Sequence, residues 1–198
     1  MATDKDTMGA VCSVFVATSL DGLIARSDGN IDWLNDANAA IPEGEDCGYQ
    51  KFMSDIDTLV MGRNTFEQVL TFGEWPYGIT PVVVMSRRGI ALPSDIPSWV
   101  SVSSESPDDL VLRLSAQGAR NLYIDGGLTI QSFLATQLID EITITVIPLL
   151  LGAGKPLFGP LSHDVSLSHV TSHSFDFGFE EHKYRVEKTL TGLKTVSE

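Results

Sequence analysis

Three short stretches place a strand-like apolar run directly before glycine, hydroxyl or guanidinium groups, the residue types that hold phosphate. In Leu59 to Glu67, Gly62 lets backbone approach a ligand, Arg63 adds charge and Thr65 offers a hydroxyl where a helical pattern begins. The same residues would also make a capped helix with a surface arginine. In Val82 to Gly89, a β-branched run delivers Ser86, Arg87 and Arg88, and the planar guanidinium fork suits phosphate. An exposed basic turn is the plainer reading of that pair. The chain carries 13 Lys+Arg against 26 Asp+Glu, so two adjacent arginines form a positive spot on a background of −13. In Asn121 to Ile130, Gly126 and Gly127 precede Leu128 and Thr129, and a glycine pair can bring the N–H groups of a helix start onto a pyrophosphate.

Ligands of open α/β sheets bind beyond the carboxyl ends of the strands, so these stretches act together only if parallel strands carry them to one edge. The remaining pattern supplies such a frame. Strand-length β-branched runs occur at Val11 to Ala17, Thr58 to Met61, Pro81 to Met85, Trp99 to Ser101, Asn121 to Ile124 and Glu141 to Pro148. Helical spacing occurs at Cys47 to Ser54, Thr65 to Leu70, Pro107 to Gln117 and Leu128 to Thr136, with Gly118 as a stop. Strands alternating with helices predict an α/β fold with a central, mostly parallel sheet. Val165 to Ser174 and His182 to Leu190 follow with no helix between them, which predicts an antiparallel C-terminal strand pair. The reading is of one domain over residues 10–188, with flexible tails at 1–9 and 189–198.

Other chemistries are disfavoured. The glycine pair lacks the full G-x-G-x-x-G pattern and its partner acid, so a standard Rossmann site is not expected. Gly152-Ala153-Gly154-Lys155 lacks the earlier glycine of a phosphate loop and runs into Pro156. Asp28 to Asp32 opens like a calcium loop, but Trp33 stands where glycine is needed and Ala39 where the final glutamate belongs, so a turn is expected. His163, His169, His173 and His182 show no ligand spacing, and no metal is expected. No serine sits in a G-x-S-x-G context. The acidic balance disfavours nucleic acid and anionic membranes, and the longest apolar stretch is too short to span a bilayer. Two cysteines, Cys12 and Cys47, and the lack of a signal-like opening predict a cytoplasmic protein with free thiols.

Taken in order, Val14 to Ala25, Asp32-Trp33, Met61 to Glu67, Met85-Ser86-Arg87, Ile124 to Gly127 and Leu138 to Ile142 form a pattern that resembles the dihydrofolate reductase-like superfamily. It is most similar to the bacterial branch related to the reductase domain of the bifunctional riboflavin-biosynthesis deaminase-reductase. The resemblance covers nearly the whole predicted domain and implies a three-layer fold that binds NADPH across the strand ends.

By this resemblance, backbone near Ala17 and Ile24 holds the nicotinamide carboxamide, and Gly62, Arg63 and Thr65 touch phosphates. Ser86, Arg87 and Arg88 grip the adenosine 2′-phosphate, which favours NADPH over NADH, while Gly126, Gly127, Leu128 and Thr129 cradle the pyrophosphate. Folate reductases carry a carboxylate on the helix after the tryptophan loop; here that position falls on Gly48, with Asp46 two residues away. Asp21 is the motif carboxylate nearest the expected nicotinamide, as a substrate-positioning or proton-relaying group or as part of an ordinary Asp-Gly turn. Trp33, Tyr49 and Phe52 are candidates to wall a flat heterocycle, or are core. Glu67 and Asp125 are read as orienting backbone.

The implied activity is hydride transfer from NADPH to a small heterocyclic or carbonyl substrate, with a riboflavin-pathway ribosylaminopyrimidine as the nearest named acceptor. Dihydrofolate reduction and a non-catalytic NADP-binding module are the alternatives. The resemblance also implies a homodimer. Glu141 to Pro148 and Leu149 to Leu151 would provide its apolar surface, or form a buried central strand.

Overall fold

The computed structural model describes residues 9–188, so residues 1–8 and 189–198 of the expected tails lie outside the described residues. Eight strands form one sheet in the order β5-β4-β3-β6-β1-β7-β10-β9. Its members are β1 (Val11–Ser19), β3 (Thr58–Gly62), β4 (Val82–Met85), β5 (Val100–Ser103), β6 (Asn121–Asp125), β7 (Ile139–Ile147), β9 (Leu167–Ser174) and β10 (Glu180–Val186). The first five neighbouring pairs, from β5 across to β7, are parallel. The last two, β7 with β10 and β10 with β9, are antiparallel. The sheet is therefore mostly parallel with an antiparallel C-terminal pair, as expected. Two short strands, β2 (Leu23–Ala25) and β8 (Lys155–Pro156), pair separately.

Strand side chains alternate between two faces, and each face is covered because the parallel strands are apolar on both. Cys12, Val14, Val60, Leu122, Ile124 and Ile142 point to one side. There they pack against α4 (Pro107–Ala116) through Leu110 and Leu114, and against α5 (Gly127–Ala135) through Ile130 and Phe133. Leu59, Met61, Val82, Val84 and Tyr123 point to the other side and meet α2 (Tyr49–Ser54) and α3 (Arg63–Val69). Further along that second face, Ile147 and Phe179 pack on Trp33 of α1 (Asp32–Asn38). Each fully buried side chain of this kind contributes on the order of 1.5 to 3 kcal/mol through apolar burial.

The choice left open for residues 141–148 is resolved by the pairing: β7 lies between β1 and β10 and is an interior strand. Exposed apolar side chains remain just beyond it, at Leu149 and Leu150, and at Leu20, whose N–H donates to the Leu149 carbonyl. Among the described residues no helix is long and apolar enough to cross a membrane.

Candidate active site at the strand carboxyl ends

Because β4, β3, β6 and β1 are consecutive and parallel, their carboxyl ends fall on one edge of the sheet. That edge collects Ser86, Gly62, Gly126 and Ala17 from sequence positions far apart. The turns after β3 and β6 are in direct contact. A Cβ on Gly62 would come within 2.6 Å of Thr129 Oγ1, and one on Gly126 would collide with Thr65 Oγ1. Only glycine permits this approach, and Gly126 also has φ +88°, which side chains other than glycine's rarely allow. Ile24 of β2 closes the group from above: a Cβ on Gly127 would lie 2.7 Å from Ile24 Cδ1.

The start of α5 is open to an anion. Its N-cap is Gly126, with no side-chain cap hydrogen bond and no acidic residue in the first turn, so the positive end of the helix is left uncompensated there. The one acid next to it is Asp125, whose Oδ1 accepts from the Gly126 N–H at 2.7 Å. Burial pushes the Asp125 carboxyl up to about 6; burial likewise raises the phenols of Tyr49, Tyr77 and Tyr123, and the Asp125 charge adds to that rise. Tyr49 is pushed up to about 12, chiefly by burial, so these hydroxyls stay protonated. The Tyr123 hydroxyl donates to the Phe15 carbonyl at 2.8 Å. Asp125 is thus an ionisable group in an aromatic wall, a feature beyond the backbone-orienting role read from its sequence.

Arg87 and Arg88 lie exposed in the turn after β4, and Ser86, buried, donates through Oγ to the Gly89 carbonyl at 3.0 Å to shape that turn. Among the described residues neither arginine forms an ion pair, whereas Arg63 is held by Glu67 at 2.7 Å. Arg63 is therefore the less available of the three. Leu128 projects into solvent and Thr129 is buried against Gly62.

The aromatic candidates separate into two groups on the same face. Phe52 stacks on Phe15 with ring centroids 4.9 Å apart and meets Tyr123 edge-on at 5.0 Å, with Tyr49 tilted against Phe15 at 5.8 Å. Trp33 stands apart, buried with Ala17, Cys47, Ile147 and Phe179.

The carboxylate candidates have structural duties. Asp21 accepts from Ser19 Oγ at 2.6 Å and from the N–H groups of Leu151 and Gly152 at 3.1 and 2.7 Å. These bonds tie the β1–β2 turn to the segment after β7, and they hold its carboxyl below the usual range, so it is ionised at neutral pH. Asp46 accepts from the N–H groups of Gly48 and Gln50 and so closes the start of α2. Gly48 is the N-cap of that helix, whose first turn contains no acid.

Residues 28–30 make the expected turn, with Asp28 Oδ1 accepting from the Asn30 N–H. Among the described residues no three His, Cys, Asp or Glu side chains gather to hold a metal. A shallow depression of about 360 Å³ lies at the opposite edge, between the starts of β3 and β4 and the end of α4. Its two charged members are already committed, Asp57 to the N–H groups of Arg120 and Asn121 and Arg113 to Glu105.

A three-layer α/β sheet with glycine-opened turns gathered at its carboxyl edge defines the class, and comparison with known proteins places the chain within it. The chain belongs to the RibD C-terminal domain family, whose model matches residues 11–179. It is 33% identical over 179 residues to the uncharacterized protein YwjB of Bacillus subtilis (strain 168), covering 87% of this chain and 96% of that one. A crystal structure of a Shewanella sp. PV-4 protein bearing a riboflavin-biosynthesis name superposes with a TM-score of 0.84 at 40% identity, over 90% of this chain and 99% of that one. Acinetobacter baumannii RibD shares the fold at a TM-score of 0.68 and 17% identity; this chain, 90% covered, spans 58% of its length.

Proposed function

We propose that the protein is an NADPH-dependent reductase that transfers a hydride to a small heterocyclic or carbonyl acceptor, with a ribosylaminopyrimidine of the riboflavin-pathway kind as the first substrate to try. The observation that carries this reading is the close approach of the Gly62 and Gly126 turns beside the uncapped start of α5. Such a turn is suited to a pyrophosphate, because backbone N–H groups and the helix dipole act together on an anion that no side chain crowds. Gly126, Gly127, Leu128 and Thr129 would hold the pyrophosphate, with Gly62 and Thr65 beside it. Arg87 and Arg88, with Ser86 shaping their turn, would hold a 2′-phosphate, and backbone near Ala17 and Ile24 the nicotinamide. When bound, NADPH supplies the hydride. The chain's own part is then to position the acceptor, exclude water through the Phe15, Tyr49 and Phe52 wall, and keep a proton at hand. Asp21, already ionised and engaged by two N–H groups, serves the turn; Asp125, raised to about 6, is the better group to hold a proton. The family relationship favours a homodimer, for which the exposed Leu20, Leu149 and Leu150 offer apolar surface.

Calorimetric titration with NADPH and NADH in parallel tests the reading. NADPH should bind with clear preference. Replacing whichever of Arg87 and Arg88 reads the 2′-phosphate by Ala should cost NADPH on the order of 1.5 to 3 kcal/mol and leave NADH nearly unchanged. Equal losses for both cofactors would remove the 2′-phosphate assignment, and absence of binding would remove the function.

A further inference from the structure

On a regular strand, residues three apart face opposite sides of the sheet. His169 and Ser172 of β9 do not, because the ladder to β10 slips between them: Lys183 stands opposite Thr171 and Tyr184 opposite His169, which leaves Val170 without a partner. A bulge of this kind re-aims a side chain. Here it turns His169 onto the face that already holds Ser172 and, across the ladder, His182 and Tyr184.

The re-aimed ring meets a second one. Ser172 Oγ lies 2.7 Å from His169 Nε2 and 2.8 Å from His182 Nδ1, so nitrogens of two imidazoles converge on a single atom. Tyr184 stands edge-on to His169 with ring centroids 5.8 Å apart and lies 6.3 Å from His182, so one phenol ring backs both histidines. The hydroxyl has one proton and can give it to only one of the two nitrogens. His169 and Ser172 are exposed and His182 is half-buried, so solvent reaches the group. The other two histidines are elsewhere: His163 bonds Gln137 and Ser162, and His173 packs on Phe175 at 4.4 Å.

The geometry points to a surface site for a divalent transition ion of the zinc and copper kind, held between β9 and β10 by His169 Nε2 and His182 Nδ1. Imidazole nitrogen suits these ions, whereas magnesium and calcium take oxygen. Zinc–imidazole bonds run at about 2.0 to 2.1 Å, so an ion at the meeting point needs each ring to close by roughly 0.7 Å as the Ser172 hydroxyl yields the centre. Water completes the coordination. The clip also has a mechanical consequence, because β9 is the outermost strand and β10 is its one partner in the sheet. A bridging ion fastens that edge. The site lies at the far end of the sheet order from β3 and β4 and is independent of the reductase reading.

Calorimetric titration of the tag-free full chain with Zn2+, Cu2+ and Mg2+, paired with thermal melts, tests the site. One Zn2+ should bind per chain, Cu2+ should bind more tightly, and Mg2+ should not bind. His169→Ala and His182→Ala should each weaken Zn2+ on the order of 10-fold or more, while His163→Ala binds as the parent does. Zn2+ should raise the melting temperature of the parent and of His163→Ala but not of the other two variants, because the ion favours the folded state only where both rings are present. Equal Zn2+ binding by parent, His169→Ala and His182→Ala would overturn the site, as would no binding by the parent or a loss as large in His163→Ala.

Discussion

At the junction of β5 and α4 the chain satisfies its own helix start, whereas at the junction of β6 and α5 it leaves the start open. Ser106 Oγ accepts from the Asp109 N–H at 3.2 Å, Pro107 occupies the first turn, and Asp108 and Asp109 set negative charge against the positive end of the dipole. Glu105 then locks the approach, taking Ser103 Oγ and the Arg113 guanidinium. At α5 Gly126 stands at the cap with no side-chain cap bond, Leu128 is 71% exposed, and the neighbouring Asp125 carboxylate takes the Gly126 N–H rather than an N–H of the first helical turn. Two helices that begin at the same edge of one sheet thus differ in whether the chain completes their first turn itself, and the open one is where the proposed cofactor would bind.

The sharpest way to break this contrast is to fill the open junction. Gly126→Ala combines a φ of +88° with a collision against Thr65, and should cost about 2 to 4 kcal/mol in denaturant unfolding and abolish NADPH binding. Gly118→Ala, at the end of α4, has φ +98° but nothing within 4 Å of the new carbon, so it should cost less and leave binding intact. Similar losses at the two sites would deny the close approach its role.

Next in size is the pH response of Asp125. Its carboxyl is raised from 3.8 to about 6 on folding, so the folded state favours the proton. Its contribution to stability is present below about pH 4, is lost as pH rises toward 6, and is flat above. Parent and Asp125→Asn unfolding curves should accordingly diverge by about 1 to 3 kcal/mol across that window. Parallel curves would show that Asp125 is not desolvated.

Ser106→Ala should cost about 1 kcal/mol of stability with no change in cofactor affinity. Smallest is Leu128→Glu, which supplies α5 with the acid that α4 already has. It should stabilise the protein by about 0.3 to 1 kcal/mol and weaken NADPH, so that thermal melts and titration move in opposite directions. A variant that binds NADPH as the parent does would place the pyrophosphate elsewhere.

Much of this contrast is legible in the residues. Ser106-Pro107-Asp108-Asp109 and Asp125-Gly126-Gly127 state a closed and an open helix start, and the apolar runs that became β3, β4 and β6 are read within two residues of their bounds. Three elements are not. Leu23–Ala25 and Lys155–Pro156 are too short to show alternation, and they exist as strands only because the segment after β7 folds back on β2. The α1 helix hides behind the Asp28-Gly29-Asn30 turn and is set by tertiary support, through Arg26 on Asp32 and the burial of Trp33.

Within the site, the glycines, hydroxyls and paired arginines could be named because each has a local reason to be there. Asp125 could be named only as orienting backbone, since its raised carboxyl comes from burial that the sequence does not display.

The placement of β1 also governs the order of assembly. Its partners are β6 and β7, paired through Val11 with Asn121 and Ala17 with Thr145, so β1 waits for more than a hundred further residues before either edge is covered. Contacts this distant slow folding, because chain closure must precede any gain from pairing. During synthesis β1 therefore remains an unpaired apolar strand until β6 has been made, and only then can the centre of the sheet close.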